Sequence, residues 1–176
     1  MTRILLIVNF LTSTLMAQTS STFGNEFLPI WQRACAYTLE AADAMPEERY
    51  RYRPDSTVMN VGEHLVHISE NLYSLTSRFI TETEFPSDRY TRRPADSLSK
   101  AEIRTILEDA CAFVTEPLST MTDEEMGSIV PSFWGPDPAS RRVIFMLMRD
   151  HMTHHRAALV VYLRNNGIEP PRFRGW

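Results

Sequence analysis

All five histidines of this 176-residue chain fall in two short windows: His64 and His67 in one, His151, His154 and His155 in the other. Neutral imidazole is the commonest side-chain metal ligand, so two such clusters point to a metal site. The second window can be placed by geometry. At ~100° per residue, Ile144, Met148, His151, His155, Ala158 and Tyr162 share one narrow helical face. Their spacing alternates four and three, as in the seam of a bundle. His151 and His155 therefore point toward a core, one turn apart, and two imidazoles at i and i+4 can grip one ion. His154 is rotated to the flank of the seam. Met152 follows His151, so the glutamate of the zinc-protease motif is missing, and no Glu-x-x-His pair of the di-metal bundles is present.

The first window is less decisive. Val61, Leu65, Ile68, Leu72, Leu75 and Phe79 form an apolar seam, and Asn60, His64, His67 and Asn71 form a polar one beside it. Periodicity places His64 nearer the apolar centre than His67, and it leaves open which of them meets the later histidines. Asn71, one turn beyond His67, is a candidate supporting or substrate-orienting group. The plain alternative is a set of hydrogen-bonded core histidines. Crowding several neutral imidazoles together without a ligand is costly unless each finds a partner, which favours the metal. No general base stands out, and the catalytic residues are left unassigned. Glu63 and Glu70 fall on the outer side of their helix by phase, and Asp150 points about 100° away from His151. Tyr162 either orients substrate or packs in the core. Trp134 is expected to pack at a pocket mouth.

Four helices must position these groups. Apolar spacing predicts helices over about 26–45, 57–82, 99–121 and 139–166. Ser99 and Glu102 make a capping-box pattern, Pro117 is expected to kink or end the third helix, and Gly167 with Pro170 and Pro171 stops the fourth. No segment alternates with period two, so no strands are expected. The fold class that follows is all-α, a four-helix bundle in one domain over residues 26–172, with connections long enough to permit crossovers. Residues 1–17 have the layout of a signal peptide, with Arg3 ahead of an apolar run and cleavage after Ala17. The expected location is therefore exported, periplasmic or extracellular, with no membrane association after cleavage; an uncleaved segment would leave the chain tethered or cytoplasmic. A net charge of −4 argues against nucleic acid. Cys35 and Cys111 read as buried packing residues, and they could pair only with Cα atoms within ~7 Å.

The segments VGEHLVHISEN and DHMTHHRAALVVYLRNNGIEPP, with the approach AMPEERYRYRPDSTVMNVGEHLVHI, resemble the DinB-like (DinB/YfiT) family of bacterial metal-binding four-helix bundles. The resemblance implies one ligand from the pattern Gly-Glu-x-x-x-His-Ile, which is His67, and two from the last helix, His151 and His155. His64 and His154 then become supporting or surface residues. One departure is that Ala157 and Ala158 stand where many members have Gly-Gln after His-His-Arg. The implied function is a metal-dependent hydrolase or thiol-transferase acting on a small-molecule substrate, with a non-catalytic metal-binding or stress-associated bundle as the alternative. An exported member favours hydrolysis over use of an intracellular thiol. Zinc or nickel is the expected ion, with iron, manganese and copper also compatible. A homodimer is expected from family habit.

Overall fold

The computed structural model describes residues 21–87, 93–131 and 137–174. The proposed signal peptide and Trp134 lie outside these residues. Four long helices carry the fold: α1 (Thr22–Ala44), α2 (Val61–Leu75), α3 (Lys100–Thr120) and, after a short α4 (Asp123–Gly127), α5 (Arg141–Asn165). The main helix contacts join α2 to α3 and α5, and α1 to α3 and α5. Consecutive helices α1 and α2 thus stand across the diagonal of the bundle, and the connection between them crosses one end.

Helix starts follow side-chain caps. Ser21 Oγ accepts from the Gly24 amide at 2.8 Å, so α1 begins four residues before the apolar period suggests. The second helix begins at Val61 rather than 57, because Asp55 folds back on the Thr57 amide in a turn. Asn60 then caps α2: its Oδ1 accepts from the Glu63 amide at 2.8 Å, and the Glu63 carboxylate accepts from the Asn60 amide at 2.7 Å. Asn60 is therefore a cap and not part of a polar functional strip. Glu63, expected to be solvated, is half-buried and also pairs with Arg53 at 3.0 Å. The Ser99–Glu102 capping box is present at the start of α3. A third box, Thr122 with Glu125, opens α4, which period analysis missed because five residues show no period.

Two further expectations are corrected. Pro117 does not end α3, which continues to Thr120. A minimal antiparallel ladder, Ile129 with Ser140 and Val130 with Ala139, replaces the strand-free loop. Two residues a side are too few to alternate visibly. At its end α2 widens into a single π-helical turn over Thr76–Ile80, with the Thr81 amide donating to the Thr76 carbonyl. Gly167, at φ +72°, ends α5 as expected.

Trp31, Leu65, Ile68, Leu72, Leu107, Leu118, Phe145 and Met148 fill the core. Cys35 and Cys111 are buried free thiols. Among the described residues no helix is long and apolar enough to cross a membrane.

The rotation of α5 is fixed by Arg156. This buried guanidinium donates to the Ala34 carbonyl and Thr38 Oγ1 on α1, both at 3.1 Å, and lies over the Tyr37 ring. It has no carboxylate partner in these contacts; neutral acceptors and an aromatic face take that place. With Arg156 held against α1, the adjacent His155 is turned to α2.

Candidate metal centre

Helices α2 and α5 pack directly, and three imidazoles converge between them. His67, His151 and His155 each offer one nitrogen, and these atoms all lie within 4.8 Å of one another. His151 Nε2 is 3.2 Å from His67 Nε2 and 3.1 Å from His155 Nε2. A tetrahedral ion with metal–nitrogen distances of ~2.0–2.1 Å would hold its ligands about 3.3 Å apart. Both separations from His151 are close to that value. Hydrogen bonding explains them less well. A neutral ring nitrogen carries either a proton or a lone pair, so His151 Nε2 cannot donate to one neighbour while accepting from the other. A shared cation would use all three lone pairs at once. The donor set therefore fits a divalent ion, and an all-imidazole set is compatible with zinc, nickel, iron or copper.

His151 and His155 are held neutral. Burial lowers the pKa of His155 to about 3, helped by the proximity of His151, His67, His64 and His154. Burial, then His67 and His154, lowers that of His151 to about 4. His64 is lowered too, first by burial and then by His67 and His154.

His64 is not in the converging group. It is buried one turn before His67, with its Nδ1 2.8 Å from Nδ1 of His155 and its Nε2 3.4 Å from the Tyr162 hydroxyl. Tyr162 is buried at the α5 seam and donates to the Met59 carbonyl at 3.0 Å. His154 is exposed, its ring edge-on to His155 with centroids 5.0 Å apart.

A cleft of about 260 Å³ opens beside the imidazoles, lined by His67, Glu70, Asn71, Ser74, Leu75, Arg78, Phe79 and His151. A larger hollow of about 840 Å³ shares Ser74 and Arg78 with it but reaches none of the histidines. Asn71 Oδ1 is buried without a hydrogen-bond partner among the described residues. Glu70, expected on the solvated outside of α2, is instead half-buried in the cleft wall. Its position was available from spacing: Glu70, Asn71, Ser74 and Arg78 follow His67 at i+3, i+4, i+7 and i+11, one face of a helix. Asp150 is exposed, pairs with Arg149 at 3.6 Å and lies outside the cleft.

A helical bundle with a cluster of three imidazoles between two facing helices, open on one side to a cleft, is an architecture compatible with a metal site. The model of the DinB family matches residues 16–175, and the chain belongs to that family. Among solved structures it is similar to a DinB-like protein from Bacillus subtilis, with a TM-score of 0.67 and 20% identity over 86% of this chain and 98% of that one. A DinB-like protein from Bacillus cereus ATCC 10987 superposes with a TM-score of 0.66 and 19% identity, covering 85% of this chain and 97% of the other. These likenesses concern the fold. No curated protein matches the chain.

Proposed function

We propose that this protein is a divalent-metal-dependent enzyme that acts on a small-molecule substrate, by hydrolysis or by transfer of a thiol to an electrophile. The observation that carries the reading is the convergence of His67, His151 and His155 at the wall of a cleft that also presents Glu70 and Asn71. When bound, the ion would supply Lewis acidity, lowering the pKa of coordinated water and polarising an electrophilic substrate group. The chain's own residues divide the remaining work. Glu70 is placed to take a proton from the attacking nucleophile as general base. Asn71 Oδ1, buried and unpartnered, is an acceptor for a substrate N–H or O–H. Leu75 and Phe79 form an apolar wall that limits water around the reacting groups. The cleft favours catalysis over storage, because a storage site has no use for an open side lined by a carboxylate and an asparagine.

Zinc or nickel is the ion proposed, from a donor set that suits zinc, nickel, iron and copper alike. The proposed export of the chain favours hydrolysis over thiol transfer. The test is metal content by mass spectrometry of the purified protein, wild type beside His67→Ala and His64→Ala. The expected result is about one equivalent in the wild type, none in His67→Ala, and near-stoichiometric metal in His64→Ala when metal is saturating. No uptake by the wild type after reconstitution would refute the reading. With metal in place, Glu70→Gln is expected to retain the ion and lose turnover by ~100-fold or more in a hydrolase and thiol-transfer screen.

A further inference from the structure

We propose that His64 and Tyr162 form a one-way hydrogen-bonded chain, anchored on the Met59 carbonyl, that fixes His155 with its proton on Nδ1 and its lone pair on Nε2.

The direction follows from one acceptor that cannot donate. The Met59 carbonyl only accepts and is the nearer of the two groups facing the Tyr162 hydroxyl, 3.0 Å against 3.4 Å to His64 Nε2, so the hydroxyl proton is directed to it. The Tyr162 oxygen then faces His64 Nε2 as an acceptor, at 3.4 Å, which puts the proton of His64 on Nε2. A neutral imidazole carries one proton, so His64 Nδ1 is bare. It lies 2.8 Å from Nδ1 of His155, which must donate. His155 is then bare at Nε2, the atom that lies 3.1 Å from His151 Nε2. Once the Tyr162 proton is directed to the Met59 carbonyl each later step has one option, and the outcome is the tautomer that a metal ligand needs.

The chain runs behind the site. It starts in the loop before α2, crosses to the C-terminal half of α5, returns to α2 and ends on α5 again. Both intermediate side chains are buried, so water is a poor competitor for their hydrogen bonds. His151 supplies a contrast: its Nδ1 is buried and has no partner among the described residues, so none of them holds that ring from behind. His64 and Tyr162 are thus positioning residues, acting through His155 and touching neither ion nor substrate.

The inference rests on the proposed metal reading only for its affinity arm. The other arm is nitrogen NMR of the metal-free protein at a pH where the imidazoles are neutral, which distinguishes protonated from bare ring nitrogens. The wild type is expected to show His155 protonated at Nδ1. In Tyr162→Phe the His64 proton is free to move to Nδ1, and part of the His155 population is expected to shift its proton to Nε2. Zinc affinity of that variant should fall by ~10–100-fold, the usual cost of losing a partner behind a ligand. His64→Asn puts an amide oxygen where Nδ1 stood and needs no help from Tyr162. It should bind zinc nearly as tightly as the wild type, and adding Tyr162→Phe to it should change nothing further. Such non-additivity is the signature of a shared chain. Protonation of wild-type His155 at Nε2 would overturn the proposal. So would an equal loss from Tyr162→Phe in both backgrounds, which would mean that Tyr162 acts through packing. Failure of the wild type to take up zinc would sink the metal reading, and the nitrogen spectrum would still decide the direction of the chain.

Discussion

Replacing His151 or His155 with alanine removes one of the three nitrogens that converge between α2 and α5. An ion that binds only the folded chain stabilises it by RT ln(1 + [L]/Kd), which is ~2.7 kcal/mol at a free concentration of ~100 Kd. For a chain of this size each kcal/mol moves the melting temperature by ~2–4 °C, so zinc at that level should raise it by ~5–11 °C. Losing a ligand weakens binding by at least ~100-fold, a conservative figure since supporting partners alone are worth up to that much. At the same zinc concentration [L]/Kd then falls to about 1, the stabilisation to about 0.4 kcal/mol, and the shift to ~1–2 °C. His154 is exposed and touches His155 only edge-on, so His154→Ala should keep nearly the whole shift. The assay is thermal denaturation followed by circular dichroism, with and without zinc, on the wild type and the three variants, each with a chelator control. Equal loss of the shift in all three would refute the assignment of the site to one face of α5.

Two further outcomes follow from the same geometry. In metal-free protein the folded-state pKa values of His155 and His151 lie near 3 and 4, below the unfolded value of ~6.5. The unfolded chain therefore takes up these protons first; stability is full above pH ~6.5 and falls as pH drops toward 4, by at most ~1.4 kcal/mol per unit for each ring before solvent screening. Urea midpoints at pH 7.5 and 5.0 should differ in the wild type and converge when both histidines are replaced; a flat wild-type profile would count against their burial. Arg156→Ala should cost roughly 2–4 kcal/mol through lost hydrogen bonds and packing against α1. Arg156→Lys should recover little of it, since an ammonium does not reproduce the planar fork. Full rescue by lysine in chemical denaturation would show that charge alone holds α5 in place.

Several features were legible because they are local. A helix repeats every ~3.6 residues, so His151 and His155 at i and i+4 must share a face wherever the helix lies. The same rule places Ile144, Met148, His155 and Tyr162 on one buried seam. Ser99 with Glu102 names a cap because the bond spans three residues. The errors were local as well, and they come from competition between signals. Asn60 looked like a member of a polar strip beside the histidines because its side chain is polar and in phase, yet capping the orphan amides of α2 claims that side chain first. Glu70 looked solvated because acidic residues on an outer phase usually are, and the cleft between α2 and α5 is not visible from one helix alone.

Local periodicity accounts for the composition of the site and of its faces: four amphipathic helices, a histidine pair one turn apart on the last, and two histidines with an asparagine on the second. The division of labour between His64 and His67, implied by the family resemblance but left open by periodicity, has its physical cause in the tertiary structure. Three residues apart, these two side chains differ by about 60° around α2, too little for period to separate them. The packing of α2 on α5 separates them by distance, bringing Nε2 of His67 to His151 and Nδ1 of His64 to the back of His155. The diagonal placement of α1 and α2 and the Arg156 contacts that set the rotation of α5 are equally non-local. Each joins residues some 80 to 120 positions apart, and no rule of local periodicity reaches that far.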